Sequence, residues 1–490
     1  MIRMCAKEDT EQERVADGKK PNRMLLWLVA AAFFMDMLDS TILNTAIPTM
    51  AVSFCQSPLR MQAVLIAYTL TIALLIPISG WLADRFGTRR IFFSSIIIFC
   101  GGSFCCAVSP TFHVLIASRI LQGIGGAMMV PVGRLIVVKA YPKRQLVQAM
   151  NFVILPALIG PLIGPTVGGL IVTYTTWHWI FFINLPIGFA VGCMVLPLLP
   201  NFREPSVPPF DWFGAGLFGL SMVCILFSLE GITTLHLSRR IVLLCFVFGC
   251  LSLLSYWIYA FRTVNPLFPP TLFRYRGVTV GIIGGIFARL ANGSIPFMTP
   301  LLLQIGLGFS PFKSGLTIIP LSLASLLSKS WVEYVLRKLG YRRMLITNTI
   351  LLGALIMSLS VITEHTPYPL LLLHLLIFGF INAMQFTAMN TLVLLSLPRG
   401  EQSSGNSMLS VVIQVSISLG IATAALVLGM YSHLFHVSLI DHQHLIKRDT
   451  IIRVFQCTFL TIGLFAVVAA SIFCWTPRSS EIRKQIENDV

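Results

Sequence analysis

Residues 61–83 read MQAVLIAYTLTIALLIPISGWLA, a run without one charged side chain, and residues 84–90 close it with DRFGTRR. A helix that crosses a membrane needs about 20 mostly apolar residues, so this run is long enough to span before its charges begin. The same alternation of long apolar run and short charged loop recurs along the chain. Fourteen such runs can be counted, the first near 24–50 and the last near 450–475. They are continuous rather than alternating, which excludes a transmembrane barrel. Helices that close their own backbone hydrogen bonds remain.

Composition points the same way. Of 490 residues, 56% are hydrophobic and 11% charged, with mean hydropathy +0.83. Soluble domains carry about 25% charged residues, so this chain has too few charges for a water-exposed surface. The formal net charge of +16 does not argue for a nucleic-acid partner, because the basic residues sit in short loops between apolar runs. Most of them fall on the side that carries both chain ends, with only Arg60, Arg239, Arg240, Lys313, Lys447, Arg448 and Arg453 on the other. Basic loops face the cytoplasm, so both termini are expected there. An even number of spans follows, which does not by itself separate twelve from fourteen.

The first 23 residues are polar and read as a solvated tail, not a cleavable signal peptide. The eleven cysteines are scattered without a CxxC pair, so neither a disulfide framework nor a zinc site is indicated. The segment His433, His436, Asp441, His442 and His444 is rich in imidazole, but its spacing matches no standard metal site and it reads as a solvated loop. A faint internal repeat pairs Phe86-Gly87-Thr88-Arg89-Arg90 with Leu339-Gly340-Tyr341-Arg342-Arg343. Repeated halves are common in secondary transporters.

Five motifs in order carry a family resemblance. Gly80-Trp81-Leu82-Ala83-Asp84-Arg85-Phe86-Gly87-Thr88-Arg89-Arg90 resembles the loop 2–3 motif of the major facilitator superfamily. Leu38-Asp39-Ser40-Thr41 through Pro48 resembles the first-helix motif of its fourteen-helix drug:proton antiporters, and Arg119-Ile120-Leu121-Gln122-Gly123 through Gly126 the fourth-helix motif. Gly160-Pro161-Leu162-Ile163-Gly164-Pro165-Thr166-Val167-Gly168-Gly169 is similar to the fifth-helix antiporter motif. Trp177 through Gly188 completes the set, with His178 where the family more often has Arg. PVGRL at 131–135 and GLGFSPF at 306–312 are most similar to the MdtD-like branch of Gram-negative bacteria.

The resemblance implies an all-α membrane protein of the major facilitator fold with fourteen transmembrane helices. A six-helix bundle over 24–199 and another over 264–476 would flank two extra helices in 200–263, with cytoplasmic tails at 1–23 and 477–490. It implies a multi-pass protein of the bacterial inner membrane that exports small amphiphilic compounds in exchange for protons. No enzyme activity and no cofactor beyond the proton gradient is implied, and no phosphate-binding glycine loop suggests ATP drive. The partners would be the substrate, protons and lipid; a monomer and a periplasmic adaptor are both compatible with the sequence.

Asp39 and Arg119 are the expected proton-coupling pair, because a charge in mid-membrane costs roughly 2.5–3.5 kcal/mol and needs a partner or a cavity. Asp36 lies three residues before Asp39 on one helix face, departs from the family motif, and would add a coupled carboxyl. Gly80, Asp84, Arg85, Gly87, Arg89 and Arg90 would form a conformational latch, with the glycines allowing close packing and a turn and Asp84 accepting from a helix N-terminus or from Arg85 and Arg89. Gly160, Pro161, Gly164, Pro165, Gly168 and Gly169 would let the fifth helix approach a neighbour. Gln122, Arg134 and Arg289 are candidate cavity residues, and no metal ligands are expected. A dedicated exporter of a metabolite, such as a siderophore or metal–citrate species, is an alternative. A membrane transferase is remote, because the loops lack paired carboxylates or a nucleophile with a histidine partner.

Overall fold

The computed structural model describes residues 23–233, 238–398, 401–437 and 448–476. The tails and Asp441, His442 and His444 lie outside the described residues. Among those described, every regular element is helical.

The first half comprises α1 (Arg23–Ile42), α2 (Gln62–Phe86), α3 (Thr88–Ala107), α4 (Phe112–Ala140), α5 (Lys143–Tyr174) and α6 (Asn184–Leu198). An accessory hairpin follows, α7 (Trp212–Thr233) and α8 (Arg239–Ala260). The second half comprises α9 (Arg276–Asn292), α10 (Pro311–Leu327), α11 (Lys329–Ser358), α12 (Tyr368–Leu395), α13 (Gln402–Leu434) and α14 (Arg448–Ala469). Thirteen stretches among the described residues are long and apolar enough to cross a membrane, and α10 is a shorter apolar helix. The sequence suggested one span over 312–335. Helical dihedrals at Ser328 (φ −61°, ψ −26°) and its N–H bond to Ala324 oxygen at 2.9 Å carry α10 into α11, and the chain turns at Gly340 (φ 73°, ψ 163°).

That turn makes the internal repeat concrete. Gly87 (φ 97°, ψ 138°) separates α2 from α3 as Gly340 divides α11, both at a positive φ that glycine adopts without steric cost.

Packing of the two halves is uneven along their length. At one end a single apolar core runs from Ile42, Ala46 and Met50 through Phe181 to Phe297, Leu301 and Phe455, joining both halves. At the other end the cores are separate, one around Phe33, Phe92 and Met129 in the first half and one around Met344, Met389 and Phe473 in the second. The halves are thus sealed at the end distant from the Asp84 loop.

Candidate functional site

The seal is built by α5. The run Gly160 to Gly169 removes side chains where α5 meets α1 and α10. A Cβ at Gly168 would overlap the Ile42 carbonyl oxygen, one at Gly164 the Thr41 hydroxyl, and one at Gly169 the Pro311 carbonyl oxygen. The prolines act by subtraction. Pro165 has no N–H, so the helical bond that Pro161 oxygen would accept is missing. Ser322 of α10 donates to that oxygen at 2.9 Å instead. Thr45, in the helical turn that follows α1, donates to Pro165 oxygen at 3.1 Å, and Gln304 donates back to Thr45 oxygen at 2.9 Å. All six motif residues expected on α5 therefore lie in one three-helix contact.

Below the seal, polar groups from four helices converge. Arg119 and Gln122 lie three residues apart on α4 and so share a face. Arg119 Nη1 donates to Asp39 Oδ2 at 2.6 Å and to Gln122 Oε1 at 2.6 Å. Gln122 Nε2 and Asn184 Nδ2 each donate to Asp39 Oδ1 at 2.8 Å. Ser103 of α3 accepts from Asn184 at 3.0 Å and donates to Phe181 oxygen at 2.9 Å. Asp39 is 0% exposed and Arg119 1%, so in the ionised form each is the other's counter-charge, in surroundings where an unpaired charge is costly.

Asp36 sits beside this network but does not join it directly. Tyr68 of α2 donates its hydroxyl to Asp36 Oδ1 at 2.6 Å. The same ring lies 4.1 Å beneath the Arg119 guanidinium, a cation–π geometry. Tyr68 therefore touches both carboxyl systems. Gly126 makes room for it, since a Cβ there would stand 2.8 Å from the hydroxyl. Sequence reading found Asp36, Asp39, Arg119 and Gln122 but missed Tyr68, Ser103 and Asn184. Asn184 stood inside a quoted motif, and its polarity within an apolar run was the available signal.

The loop 2–3 residues are arranged differently from expectation. Asp84 pairs with Lys139 at the end of α4, at 3.1 Å, and Lys139 pairs with Glu204 at 2.7 Å. Arg85 stacks on Trp81 at 4.9 Å, and Arg89 donates to Leu196 oxygen at 3.3 Å at the end of α6. A carbonyl-rich helix terminus suits a cation, which explains Arg89 better than a bond to Asp84 would. Arg90 is exposed. Nothing lies within 4 Å of a Cβ at Gly80, so close packing is not its role, whereas one at Gly87 would overlap Asn201. The segment after α6 is strapped over this loop by Thr88 N–H to Phe202 oxygen (2.9 Å) and Trp81 Nε1 to Pro208 oxygen (2.9 Å).

Of the remaining candidates, Arg134 is exposed on α4. Arg289 is buried on α9, at 4% exposure. Its Nη2 donates to Asn390 Oδ1 at 2.6 Å, yet Nε and Nη1 find no acceptor among the described residues. No carboxylate pairs with it among the described residues. Outside the spans, His178 stacks on Trp177 at 3.7 Å, and burial pushes its imidazole below the ordinary value.

Helices in two halves, a buried charge network in one and a sealed end between them are the make-up of a membrane transporter. The family model described as Major Facilitator Superfamily matches residues 29–421 and 282–488, and the chain belongs to that family. Proteins bearing the multidrug-resistance name MdtD from Yersinia pestis (strain Pestoides F) and Yersinia pseudotuberculosis (serotype O:1b, strain IP 31758) are 43% identical over 455 residues, covering 93% of this chain and 96% of theirs. Among solved structures, a peptide transporter of the POT family in complex with sulfate superposes with TM-score 0.68 at 15% identity, covering 98% of this chain and 99% of that one. A bacterial homologue of the lysosomal transporter Spinster, inward-facing and unoccupied, gives 0.67 at 14% identity, covering 96% and 99%. At these identities the solved structures speak for the fold alone. The protein is a multi-pass inner-membrane transporter of this superfamily.

Proposed function

We propose that this chain is a proton-coupled exporter of the drug:proton antiporter type, carrying small amphiphilic compounds out across the inner membrane by alternating access. The observation that carries this is the fully buried Asp39 carboxylate, shared among Arg119, Gln122 and Asn184 beneath a sealed end. Protonation converts an acceptor-only carboxylate into a group with a donor, weakening its hold on Arg119. Asp36, with Tyr68 between, supplies a second carboxyl within the same field. The similarity to relatives bearing a multidrug-resistance name supports the substrate class.

The orientation proposed is fourteen spans with both termini cytoplasmic. In it, α10 crosses together with the first part of α11 up to Gly340, and the bundles divide at 24–199, 200–263 and 264–476. The sealed end then faces the periplasm, and the Asp84–Lys139–Glu204 cluster acts as the cytoplasmic latch that must break when the halves close there. Inverted vesicles test the reading. A compound panel should accumulate only under an imposed pH gradient, and gradient-independent accumulation would overturn it.

A second reading has its own observation. Arg289 leaves two guanidinium nitrogens without acceptors among the described residues of the second half, and a buried donor without a partner costs about 1–3 kcal/mol. An anionic substrate group would satisfy it, which favours a dedicated metabolite exporter. Binding of carboxylated against cationic compounds to the purified protein separates the two.

A further inference from the structure

Tyr68 is the only titratable side chain between Gln62 and Ala83, the apolar stretch of α2. It is buried and engaged on two sides. Its hydroxyl donates to Asp36 Oδ1 at 2.6 Å, a length typical of a bond to an ionised acceptor. Its ring lies against the Arg119 guanidinium, 4.1 Å from centroid to Cζ, whereas the Phe181 ring is 6.0 Å away. One turn back along α2, the Val64 carbonyl oxygen accepts from Arg119 Nε at 3.4 Å. A Cβ at Gly123 would stand 3.1 Å from the Tyr68 carbonyl oxygen, so a bare α4 surface is what lets the two helices meet here.

The two carboxyls differ in their surroundings. Asp39 is 0% exposed and takes side-chain donors from Arg119, Gln122 and Asn184. Asp36 is 5% exposed, and its donor is Tyr68. Among the described residues no hydrogen bond or ion pair joins Asp36 to Asp39 or Arg119. The titratable groups gathered around Tyr68 and the two carboxyls are Arg119 of α4 and the Cys100 and Cys106 thiols of α3. Of the other helices packed on α1, residues 148–173 of α5 contain none and α6 only the exposed Cys193.

A cation is drawn to the negative face of an aromatic ring, and a phenol that donates to a carboxylate carries more electron density on that face. Protonating Asp36 turns the ionised acceptor into a neutral acid, to which a hydrogen bond is about half as strong. Tyr68 keeps its own proton throughout; the proton that Asp36 gains comes from water. The hold of the ring on Arg119 then slackens, although Asp36 and Arg119 share no bond. We propose that Tyr68 is a positioning residue that transmits the charge state of Asp36 to Arg119, its hydroxyl reading the carboxyl and its ring gripping the guanidinium. The role rests on the proton-coupled reading above. It adds a route by which a second carboxyl bears on the Asp39–Arg119 pair.

Isotope-edited infrared spectroscopy tests it on the full chain, purified in detergent with guanidinium-labelled arginine. The Arg119 band is the difference from an Arg119→Lys spectrum, taken at each pH. It should move as the pH is lowered, and Asp36→Asn should remove part of that movement. The part removed should be at least about twofold smaller when the same comparison is made in the Tyr68→Phe background, which keeps the ring and loses only the hydroxyl. A second measurement leaves the tyrosine in place. The fluorine resonance of 3-fluorotyrosine at position 68 should move with pH, and Asp36→Asn should cut that movement at least about twofold. The proposal is overturned if Asp36→Asn leaves either signal unchanged. It is overturned as well if Asp36→Asn removes as much in the Tyr68→Phe background, since Asp36 would then act on Arg119 through the field alone. Failure of the proton-coupled reading has a different mark, accumulation in inverted vesicles without a pH gradient.

Discussion

Ser322 donates to the carbonyl oxygen of Pro161 at 2.9 Å, and that bond joins the two halves of the molecule. The acceptor is free only because Pro165, four residues on, has no N–H to offer it. The Gly160–Gly169 run therefore works as a set of vacancies, with glycines leaving space and a proline leaving an acceptor.

Ser322→Ala should weaken the sealed end by about 1 kcal/mol, the usual worth of one such bond. The balance between end-closed and end-open forms would shift by about fivefold. Spin-label distances across the ends of α5 and α10 should show a larger population with those ends apart. An unchanged distribution would mean the bond is incidental.

Gly168→Val places methyl groups on the Ile42 carbonyl oxygen. Overpacking of this kind costs about 1–3 kcal/mol, so the melting temperature of purified protein should drop. Gly80→Ala, where a Cβ meets nothing within 4 Å, should leave it unchanged. Equal effects at both positions would contradict the packing account.

Asp39→Asn leaves Arg119 buried without its counter-charge. Removing one partner of such a pair costs about 3–5 kcal/mol. The double variant Asp39→Asn/Arg119→Gln should recover much of that loss in a denaturation cycle, while neither variant should restore gradient-driven efflux. Additive losses in stability would show that the two residues act independently.

Arg289→Gln removes two unsatisfied guanidinium nitrogens. If the substrate carries a carboxylate there, its affinity should fall by about tenfold or more, since hydrogen bonds to charged groups are worth about 1.5–3 kcal/mol. Export of a lipophilic cation by the same variant should hold or improve. Calorimetry with paired compounds reads both outcomes.

Lys139→Met breaks both arms of the Asp84–Lys139–Glu204 cluster. The groups are partly exposed, so the effect on stability should be at most about 1 kcal/mol and should shrink in high salt. A larger, salt-insensitive loss would mean that the lysine stem packs more than its charge pairs.

The helices were legible because apolar length is a local property of sequence, and the loop 2–3 turn was legible because Gly87 and Gly340 sit in matching pentapeptides. Asp39 and Arg119 stood out as charges inside apolar runs. What could not be read was who meets whom. Lys139 looked like one more basic residue near a span end, yet packing of α4 against the loop carries it to Asp84. Asn184 and Ser103 are neutral and so raised no alarm, although Asn184 makes a bond to Asp39 as short as that of Gln122.

The segment after α6 is tied to the first half through Thr88, Asn201 and Trp81, while the hairpin it leads into leans on α13 of the second. The two extra helices are thus anchored at one end to one half and rest sideways on the other. In the alternating-access cycle proposed above, rotation of the halves would slide the hairpin across α13, like a leaf spring over its shackle. The additional pair would then set the resistance of the machine, determining how fast it turns over rather than what it carries.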